Sequence, residues 1–482
     1  MNVPLTMLVV YVAATSTICI AVAVRERKGL KSSAQYLTAE GGLAWYLVIP
    51  LLFAETMAGA ATIGKAADGF TNGISASWVN WGMALGMFLF VIFVARFYRA
   101  MNKRYGALSV PEAFRFMFDN RCRMVMLLIV VIVYIQLYSA QPISAASLIA
   151  PMVGASPEVV AWVVTALFVV VTLLGGMKGL AIMNIVHMVV MYGGLIWVTN
   201  GSVEAIGGME AFLTNLPTSH YDIFGSDFFN TLGNALATAI SFLAAAPMVT
   251  AAISARSTRD IKIGSWAAGL IIIPFAVLPA VIGMCGSIAM PDAAPNTILF
   301  TMANSLGPAE SGTISMAVAA AIWSSAPAAL LFVANVLTQD CFAVLRPRST
   351  DRQRLLFSKL AVVAIAVVAT WIGLHASSIL GQLYSAFQIR SVVGVVLVVA
   401  IFWPRVNSTA AFWSMLLGGA LAAVWSIAGQ PFGINPLWPA CGLTLVSLFA
   451  ISLASKSRVS ESHLRYEEAC RTLDAAEARA RR

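Results

Sequence analysis

The sequence has few of the charged residues that cover the surface of a soluble protein. Only 11% of its 482 residues are charged, whereas 60% are hydrophobic. Soluble domains have about a quarter of their residues charged. This composition therefore excludes a cytosolic enzyme, a disordered protein and a secreted disulfide scaffold, and it predicts an integral membrane protein.

Cysteine and histidine are scarce as well. The six cysteines are scattered without a C-x-x-C pair, and there are four histidines. We therefore expect neither a disulfide framework nor a metal centre, and no cofactor. The sequence also lacks H-E-x-x-H, a paired catalytic Asp motif and a Ser/His/Asp spacing, so an enzyme is not expected.

Long apolar stretches dominate what is present. Because each is long enough to cross a bilayer and none alternates with period two, they predict an all-α membrane protein and not a β-barrel. We count about thirteen spans, at 4–24, 43–67, 75–98, 124–150, 158–175, 181–200, 228–254, 263–290, 312–338, 358–376, 380–403, 408–429 and 435–455.

The positive charges predict the orientation of these spans. The net charge is +9, and all Lys and Arg residues except Lys65 and Arg390 fall on alternate connections or in the tail. The long opposite loops at 201–227 and 291–311 contain none. Positive loops mark the cytoplasmic side, so we expect the N-terminus outside, the C-terminus inside and no nucleic-acid partner.

The chain is expected to form one transmembrane domain over residues 1–456, followed by a short cytoplasmic tail at 457–482. The tail is charged and rich in alanine, which is typical of a short helix or of a solvated, frayed end. The inner connection 99–123 contains Ser109-Val-Pro-Glu112, a helix-start pattern that predicts a surface helix.

Two spans are predicted to be interrupted. The second has small residues around Gly59, with polar groups at Glu55 and Thr56, and the seventh contains Pro247 near its middle. Proline removes a donor and frees carbonyls, which then need a partner inside a membrane. A pair of interrupted spans indicates a transporter site, although ordinary kinks remain the alternative.

Two charges are expected deep in the membrane. Glu55 and Arg390 both lie near the midplane, and Lys65 lies near the outer end of the second span. Such groups usually face a cavity or a partner. Glu55 and Arg390 either pair as a strut between helices, or Arg390 holds an anionic group of a substrate while Lys65 draws anions into the outer mouth.

Adjacent hydroxyls at Ser324 and Ser325 lie at a similar depth in the ninth span. Together with carbonyls freed in the second span they form a set of oxygen ligands for a small, hard cation. The alternative is that both hydroxyls bond back to their own helix.

These residues occur in motifs that resemble the sodium/solute symporter family, which includes sodium/proline, sodium/pantothenate and sodium/glucose transporters. The resemblance covers roughly residues 40–430. The motifs that carry it are Phe53-Ala-Glu-Thr-Met-Ala-Gly59, Gly175-Gly-Met-Lys-Gly179, Ser324-Ser325 with Thr338-Gln-Asp340, and Phe402-Trp-Pro-Arg405.

The resemblance implies a LeuT-type core of five-plus-five inverted repeats, at about 42–200 and 228–403, with extra flanking helices. It also implies a sodium site on the carbonyls of Ala54, Met57 and Ala321 and the hydroxyls of Ser324 and Ser325.

The family's substrate pocket lies beside that site. The residues that it implies as substrate ligands here are Thr56, Gly59, Ala60, Ala61, Tyr138, Gln141, Pro247, Gln388 and Arg390. Sugar-binding members carry an acidic residue and a glutamine where this chain has Ala60 and Ala61, which argues against a sugar.

Two positions depart from the family pattern. Asn184 replaces a frequent Asp associated with sodium release, and His187 replaces a Gln. Because a buried carboxylate takes up a proton more readily, Glu55 is a possible proton carrier, with Asn184 and His187 on a possible proton or ion pathway. A packed structural histidine is the alternative for His187.

The sequence therefore predicts a secondary active transporter that couples sodium to the symport of a small organic solute, a carboxylate or amino-acid-like molecule, by alternating access. The alternatives are a proton-coupled symporter using Glu55 and a transporter-like membrane sensor. We expect a multi-pass protein of a bacterial inner membrane, a monomer or weak oligomer whose partners are the solute, Na⁺ and the bilayer.

Overall fold

A computed structural model describes residues 3–27, 42–174, 177–376, 379–455 and 457–480. It describes the backbone alone at 20, 22–27, 55, 177–181, 379 and 480. Over this part of the chain the structure is almost entirely helical and has no β-strand beyond one isolated parallel bridge between Leu43 and Ala255. The all-α fold predicted from the apolar stretches is confirmed.

The α-helices are numbered in chain order over the described residues. They are α1 Val3–Arg27, α2 Trp45–Thr56, α3 Ile63–Asn72, α4 Trp78–Leu89, α5 Ala95–Tyr105, α6 Val110–Met117, α7 Asn120–Val153, α8 Pro157–Leu174, α9 Met177–Ala205, α10 Gly208–Asn215, α11 Phe228–Ser241, α12 Ala246–Ser254, α13 Thr258–Phe275, α14 Val277–Ala289, α15 Ile298–Leu306, α16 Pro308–Val336, α17 Ala343–Leu345, α18 Asp351–Leu374, α19 Ile379–Phe402, α20 Ser408–Ile427, α21 Leu437–Ala454 and α22 Glu461–Ala480. Short π-helical turns at Phe90–Val94 and Leu337–Phe342 follow α4 and α16.

Eleven helical segments among the described residues are long and apolar enough to cross a membrane. Shorter apolar helices at Val3–Cys19 and Trp45–Ala54 fall in the first and second predicted stretches. The number of spans and the orientation stay predictions. We call "inner" the end that carries the basic connections and "outer" the opposite end.

The second predicted span is interrupted at the expected place. α2 ends at Thr56, a 3-10 turn runs over Gly59–Ala61, and α3 begins at Ile63. A Cβ added at Gly59 would lie 2.8 Å from the Cβ of Ser144 and 2.9 Å from the side chain of Ile322. Glycine therefore lets the broken segment pass between α7 and α16.

The seventh predicted span is also interrupted. α11 ends at Ser241, a 3-10 turn covers Phe242–Ala244, and Ala245 is extended before α12 begins at Ala246. Pro247 occupies the first turn of α12, where its missing N–H costs no hydrogen bond. The proline thus starts the second half of the span and does not kink a continuous helix.

Two helices at the inner end, α6 and α22, are stabilised by specific contacts. Ser109 caps α6 by accepting a hydrogen bond from the Glu112 N–H at 3.1 Å, and the Glu112 carboxylate accepts from the Leu108 N–H at 2.8 Å. This confirms the predicted helix, and its place at the membrane surface stays a prediction. In the tail, α22 packs on α5, so the helical alternative holds and the frayed end does not.

Candidate functional site

The two interruptions face each other across a central cavity of about 70 Å³. It is enclosed by both broken spans and by α7, α16 and α19. Its lining is mostly small or aromatic, and among the described lining residues Arg390 is the one charged side chain.

Six of the nine predicted substrate ligands line this cavity. They are Thr56, Ala60, Ala61, Gln141, Pro247 and Arg390. Gly59 lies beside it, where its N–H donates to the Gln141 side-chain oxygen at 3.4 Å.

The other two predicted ligands lie outside the described lining. Tyr138 is fully buried against the ring of Phe168, with ring centroids 6.3 Å apart. Gln388 donates to the side-chain oxygens of Asn234 at 3.1 Å and Asn435 at 3.3 Å. Both side chains are used in contacts between helices, which the sequence could not distinguish from substrate contacts.

Arg390 is 2% exposed and is held mainly by aromatic rings. The guanidinium carbon lies 5.6 to 6.0 Å from the ring centroids of Phe387, Phe242 and Tyr134. One terminal nitrogen donates to the Ser241 hydroxyl at 3.3 Å, while Nε has no hydrogen-bond partner among the described groups. The predicted pairing with Glu55 falls on a side chain outside the described residues.

Four of the predicted cation ligands meet at the interruption of the second span. The Ser324 hydroxyl donates to the Ala54 carbonyl at 2.7 Å and to the Ala321 carbonyl at 3.0 Å, and Ser325 donates to Ala321 at 2.9 Å. Both hydroxyls thus bond back to their own helix, which was the alternative to a cation site. Ser324 also donates across to α2.

The interruption explains why the Ala54 carbonyl can accept a hydrogen bond from a side chain of another helix. In a continuous helix it would accept from the N–H of Ala58, but that N–H bonds to the Thr56 carbonyl at 3.0 Å. Met57, the fifth predicted ligand, is the C-cap that follows the last residue of α2. It has φ −84° and ψ 69° and is buried. The oxygen set suits a sodium-sized ion because it is neutral, hard and shared by two helices.

The possible ion pathway on α9 is buried. The His187 Nδ1 lies 2.6 Å from the hydroxyl of Tyr11 on α1, a contact that suits a packed histidine. Asn184 is fully buried, and its side-chain amide has no hydrogen-bond partner among the described groups. Glu55, the third member of this pathway, lies outside the described side chains.

Further cavities lie on either side of the central one. An outer vestibule of about 470 Å³ is lined by Lys65, Asp68, Asp227 and Tyr384 among others. An inner cavity of about 40 Å³ is lined by residues of α6, α12 and α16, and Phe332 borders both this cavity and the central one. The pathway through the molecule is therefore wider on its outer side.

Two charged clusters next to these cavities were not predicted from the sequence. The Lys65 ammonium lies 3.1 Å from the carboxylate of Asp68 and 2.8 Å from the hydroxyl of Tyr384. At the inner end, Arg123 and Asp340 form a buried ion pair at 2.8 Å. Lys65 stood out in the sequence as an intramembrane charge, but its partner on α19 is 319 residues away.

Comparison with known proteins agrees with this geometry. Residues 36–418 match the model of the sodium:solute symporter family. The osmoregulated proline transporter of Bacillus subtilis is 23% identical over 450 residues, which cover 89% of this chain and 91% of that protein. The sodium/proline symporter of Escherichia coli is 22% identical, with 86% and 87% of the two chains covered.

Solved transporter structures share the fold. A Na⁺-coupled sialic acid symporter in a substrate-bound outward-open state superposes with a TM-score of 0.79 at 16% identity, covering 95% of this chain and 98% of the other. Mhp1, a nucleobase-cation-symport-1 family transporter, gives 0.63 at 15% identity, with coverages of 91% and 99%. The LeuT-type fold expected from the motifs is thereby confirmed.

The family match spans most of the chain, and the apolar helices together with the bacterial symporters among the relatives support a multi-pass protein of the plasma membrane. The chain belongs to the sodium:solute symporter family and is a secondary transporter, not an enzyme.

Proposed function

We propose that this transporter couples the inward movement of sodium to the uptake of a small organic carboxylate or amino-acid-like solute. The observation that carries the proposal is Arg390, a buried cation facing a small cavity whose other described lining side chains are uncharged. A guanidinium fits a carboxylate with two parallel hydrogen bonds, and the Nε of Arg390, which has no partner among the described groups, is one donor for such a fork.

The size of the cavity limits the solute. A buried water needs about 10–15 Å³ of such space, so about 70 Å³ has room for roughly five to seven water-sized groups, which suits a small organic solute. Ala60 and Ala61 offer a sugar no polar side chain. The proline transporters among the relatives make L-proline a first candidate.

Sodium is proposed to bind where α2 and α16 meet. The Ala54 and Ala321 carbonyls and the Ser324 and Ser325 hydroxyls are already in contact there, and the Met57 carbonyl would complete the set. A bound cation would replace the hydroxyl-to-carbonyl contacts and tie α2 to α16. The ion then favours the conformation in which the solute binds, and this shared preference couples their movements.

The sodium site can be tested by the thermal stability of the purified protein in sodium against choline at constant ionic strength. A ligand of the native state raises the melting temperature with its concentration. We expect a sodium-specific rise that the Ser324→Ala/Ser325→Ala variant loses. Ser447→Ala is the matched control, because this hydroxyl bonds back to Leu443 on α21, outside the cavity lining.

A melting temperature that responds to pH and not to sodium would contradict sodium coupling and favour proton coupling through Glu55. For the solute, a panel of L-proline, acetate, propionate, lactate and pyruvate is added in sodium. We expect one of them to raise the melting temperature further, and Arg390→Gln to abolish that rise while keeping the response to sodium. A rise that persists in Arg390→Gln would exclude Arg390 as the carboxylate ligand.

A further inference from the structure

Lys65 is a buried cation at the partition between the outer vestibule and the central cavity. Its side chain is 0% exposed within the protein, and its ammonium lies 5.1 Å from the ring centroid of Tyr384. It lines the vestibule, whereas Ala61, one helical turn further in, lines the central cavity. On α19, Tyr384 lines the vestibule, and its neighbours Leu383 and Phe387 line the central cavity.

Two cations therefore follow one another along the solute pathway. Tyr384, which contacts Lys65, and Arg390 are six residues apart on α19, which is about 9 Å along a helix. The ring of Phe387 lies between these levels and packs against Arg390. A solute carboxylate that leaves Lys65 thus needs to move only about the length of a small molecule to reach Arg390.

Lys65 already holds a carboxylate from its own helix. Asp68 is 18% exposed and borders the vestibule, and its other oxygen accepts from the Asn72 amide at 2.8 Å. An ammonium has three protons to donate, and the described partners Asp68 and Tyr384 take two of them. When Lys65 turns to another anion, the partly exposed Asp68 carboxylate keeps its bond to the Asn72 amide and can be solvated by water. Exchange of one carboxylate for another therefore leaves the Lys65 ammonium paired and the Asp68 carboxylate hydrogen-bonded.

We propose that Lys65 and the Tyr384 hydroxyl form a first binding site for the carboxylate of the solute, from which it passes to Arg390. Asp68 occupies this site when no solute is present, and it holds the Lys65–Tyr384 contact that closes the outer end of the cavity. The inference rests on the proposed function, because it requires a solute that carries a carboxylate.

The two halves of the Lys65–Asp68 pair then have opposite effects on transport. Removing Lys65 removes the ligand, whereas removing the Asp68 charge removes its competitor. If the pair served only to hold the structure together, both substitutions would impair transport in the same direction. The signs of the two effects therefore separate a binding role from a purely structural one.

The experiment measures initial uptake into proteoliposomes in a sodium gradient, using whichever of L-proline, acetate, propionate, lactate and pyruvate the wild type takes up best. We expect Lys65→Gln to raise KM about tenfold, the lower end of the gain that a steering charge provides, without changing the maximal rate. Lys65→Arg, which keeps the positive charge, should have a KM close to that of the wild type. Asp68→Asn should lower KM. Each variant's melting temperature reports whether it folds.

The outcomes separate this site from the proposed function. If uptake depends on Arg390 but Lys65→Gln leaves KM unchanged, or if Asp68→Asn raises KM as Lys65→Gln does, the outer site is wrong and the proposed function stands. If no carboxylate is taken up, the proposed solute class is wrong and the outer site falls with it. If uptake survives in Arg390→Gln, Arg390 is not the carboxylate ligand, and the passage of the carboxylate from Lys65 to Arg390 is wrong.

Discussion

The outer and inner ends of the central cavity are closed by different kinds of contact. At the outer end, α3 meets α19 through Lys65 and the hydroxyl of Tyr384, with Asp68 beside them. These are side-chain contacts at the floor of a wide vestibule. Each of them can be exchanged for a contact with a ligand or with water.

The inner end is closed by contacts that involve the backbone. Arg99 donates to the carbonyls of Ala252 at 2.7 Å and Ala255 at 2.9 Å, which end α12. The segment before α2 pairs with the same turn, because the Leu43 N–H donates to the Ser254 carbonyl and the Leu43 carbonyl accepts from the Arg256 N–H, both at 2.9 Å. The inner halves of both broken spans are thus tied together.

A buried ion pair strengthens the inner closure. Arg123 on α7 contacts Asp340 at 2.8 Å, and the second carboxylate oxygen accepts from Ser109, the N-cap of α6, at 2.8 Å. Breaking these contacts would expose helix-end carbonyls and separate buried charges, both of which are costly. The comparison teaches that the outer end is the easier one to open, in keeping with the larger cavity there.

The largest expected effect comes from breaking the inner ion pair. Arg123→Met leaves the 0%-exposed Asp340 carboxylate without its partner, which costs about 3–5 kcal/mol for a buried pair. We expect a large loss of melting temperature and of folded yield in membranes. Adding Asp340→Asn to Arg123→Met should recover part of this loss, because the amide oxygen of asparagine can still accept from Ser109 and the side chain carries no charge.

Arg96 supplies the matched control. Its ion pair with Asp474 has a similar length, 2.6 Å, but its two side chains are 53% and 61% exposed. Such pairs contribute about 0–1 kcal/mol, so Arg96→Met should change the melting temperature little. Equal losses in Arg123→Met and Arg96→Met would contradict the assignment of the inner closure to buried charge.

The sequence predicted the features that depend on local backbone chemistry. Gly59 and Pro247 located both interruptions, and Ser109 located the start of α6, because small residues, proline and capping hydroxyls act within one or two turns. Six of the nine suggested substrate ligands fall on the cavity lining because they flank those interruptions or share a helix face that points towards them.

The sequence did not predict the closures at the two ends. Arg123 and Asp340 are 217 residues apart, and Lys65 and Tyr384 are 319 apart, so their contacts exist only once the helices pack. The sequence also could not predict that Tyr138 and Gln388 lie outside the cavity lining, because their contacts likewise depend on how the helices pack. Nothing in their sequence surroundings tells which neighbouring helix they would contact.

A smaller effect is expected from a substitution that pushes α3 away from α14, the helix against which it packs. A Cβ added at Gly283 on α14 would collide with the Ala66 carbonyl and lie 2.8 Å from the Phe70 nitrogen on α3. Backbone cannot yield as a flexible side chain does, so Gly283→Ala should cost about 1–3 kcal/mol. It should also displace Lys65 and thereby raise the KM for uptake.

Gly442 on α21 is the control for this substitution, since an added Cβ meets nothing within 4 Å there. Alanine is favoured over glycine inside a helix by about 0.5–1 kcal/mol, so Gly442→Ala should be neutral or slightly stabilising and should leave uptake unchanged. A melting temperature that Gly283→Ala leaves intact would show that the backbones of α3 and α14 can separate at this contact without cost.

The smallest expected effect concerns the tail helix, which reinforces the inner closure from outside. One Glu477 carboxylate oxygen accepts from the N–H and the hydroxyl of Thr258, at 3.2 and 2.5 Å, and from Arg99 at 3.5 Å. Although partial burial by itself raises the pKa of this carboxyl, the hydrogen bonds and the Arg99 charge hold the pKa below its ordinary value. The contribution of Glu477 to docking of the tail is therefore fully present above the ordinary glutamate pKa and is lost as pH falls through the lowered one.

Limited proteolysis of α22 as a function of pH measures this docking. Glu477→Gln should raise the rate of tail cleavage at neutral pH by roughly the factor of five that about 1 kcal/mol corresponds to. This value is below the about 1.5–3 kcal/mol of hydrogen bonds to a charged group, because the Glu477 side chain is 25% exposed and glutamine can keep part of the bonding. At acid pH the wild type and the variant should converge, since both then carry a neutral side chain at this position. Because the same helix carries other carboxylates, among them Glu468 and Asp474, the difference between the two proteins is what isolates Glu477. A difference that persists unchanged into acid would mean that the carboxylate charge does not hold the tail, and the inner end would then rely on Arg99 and the backbone contacts alone.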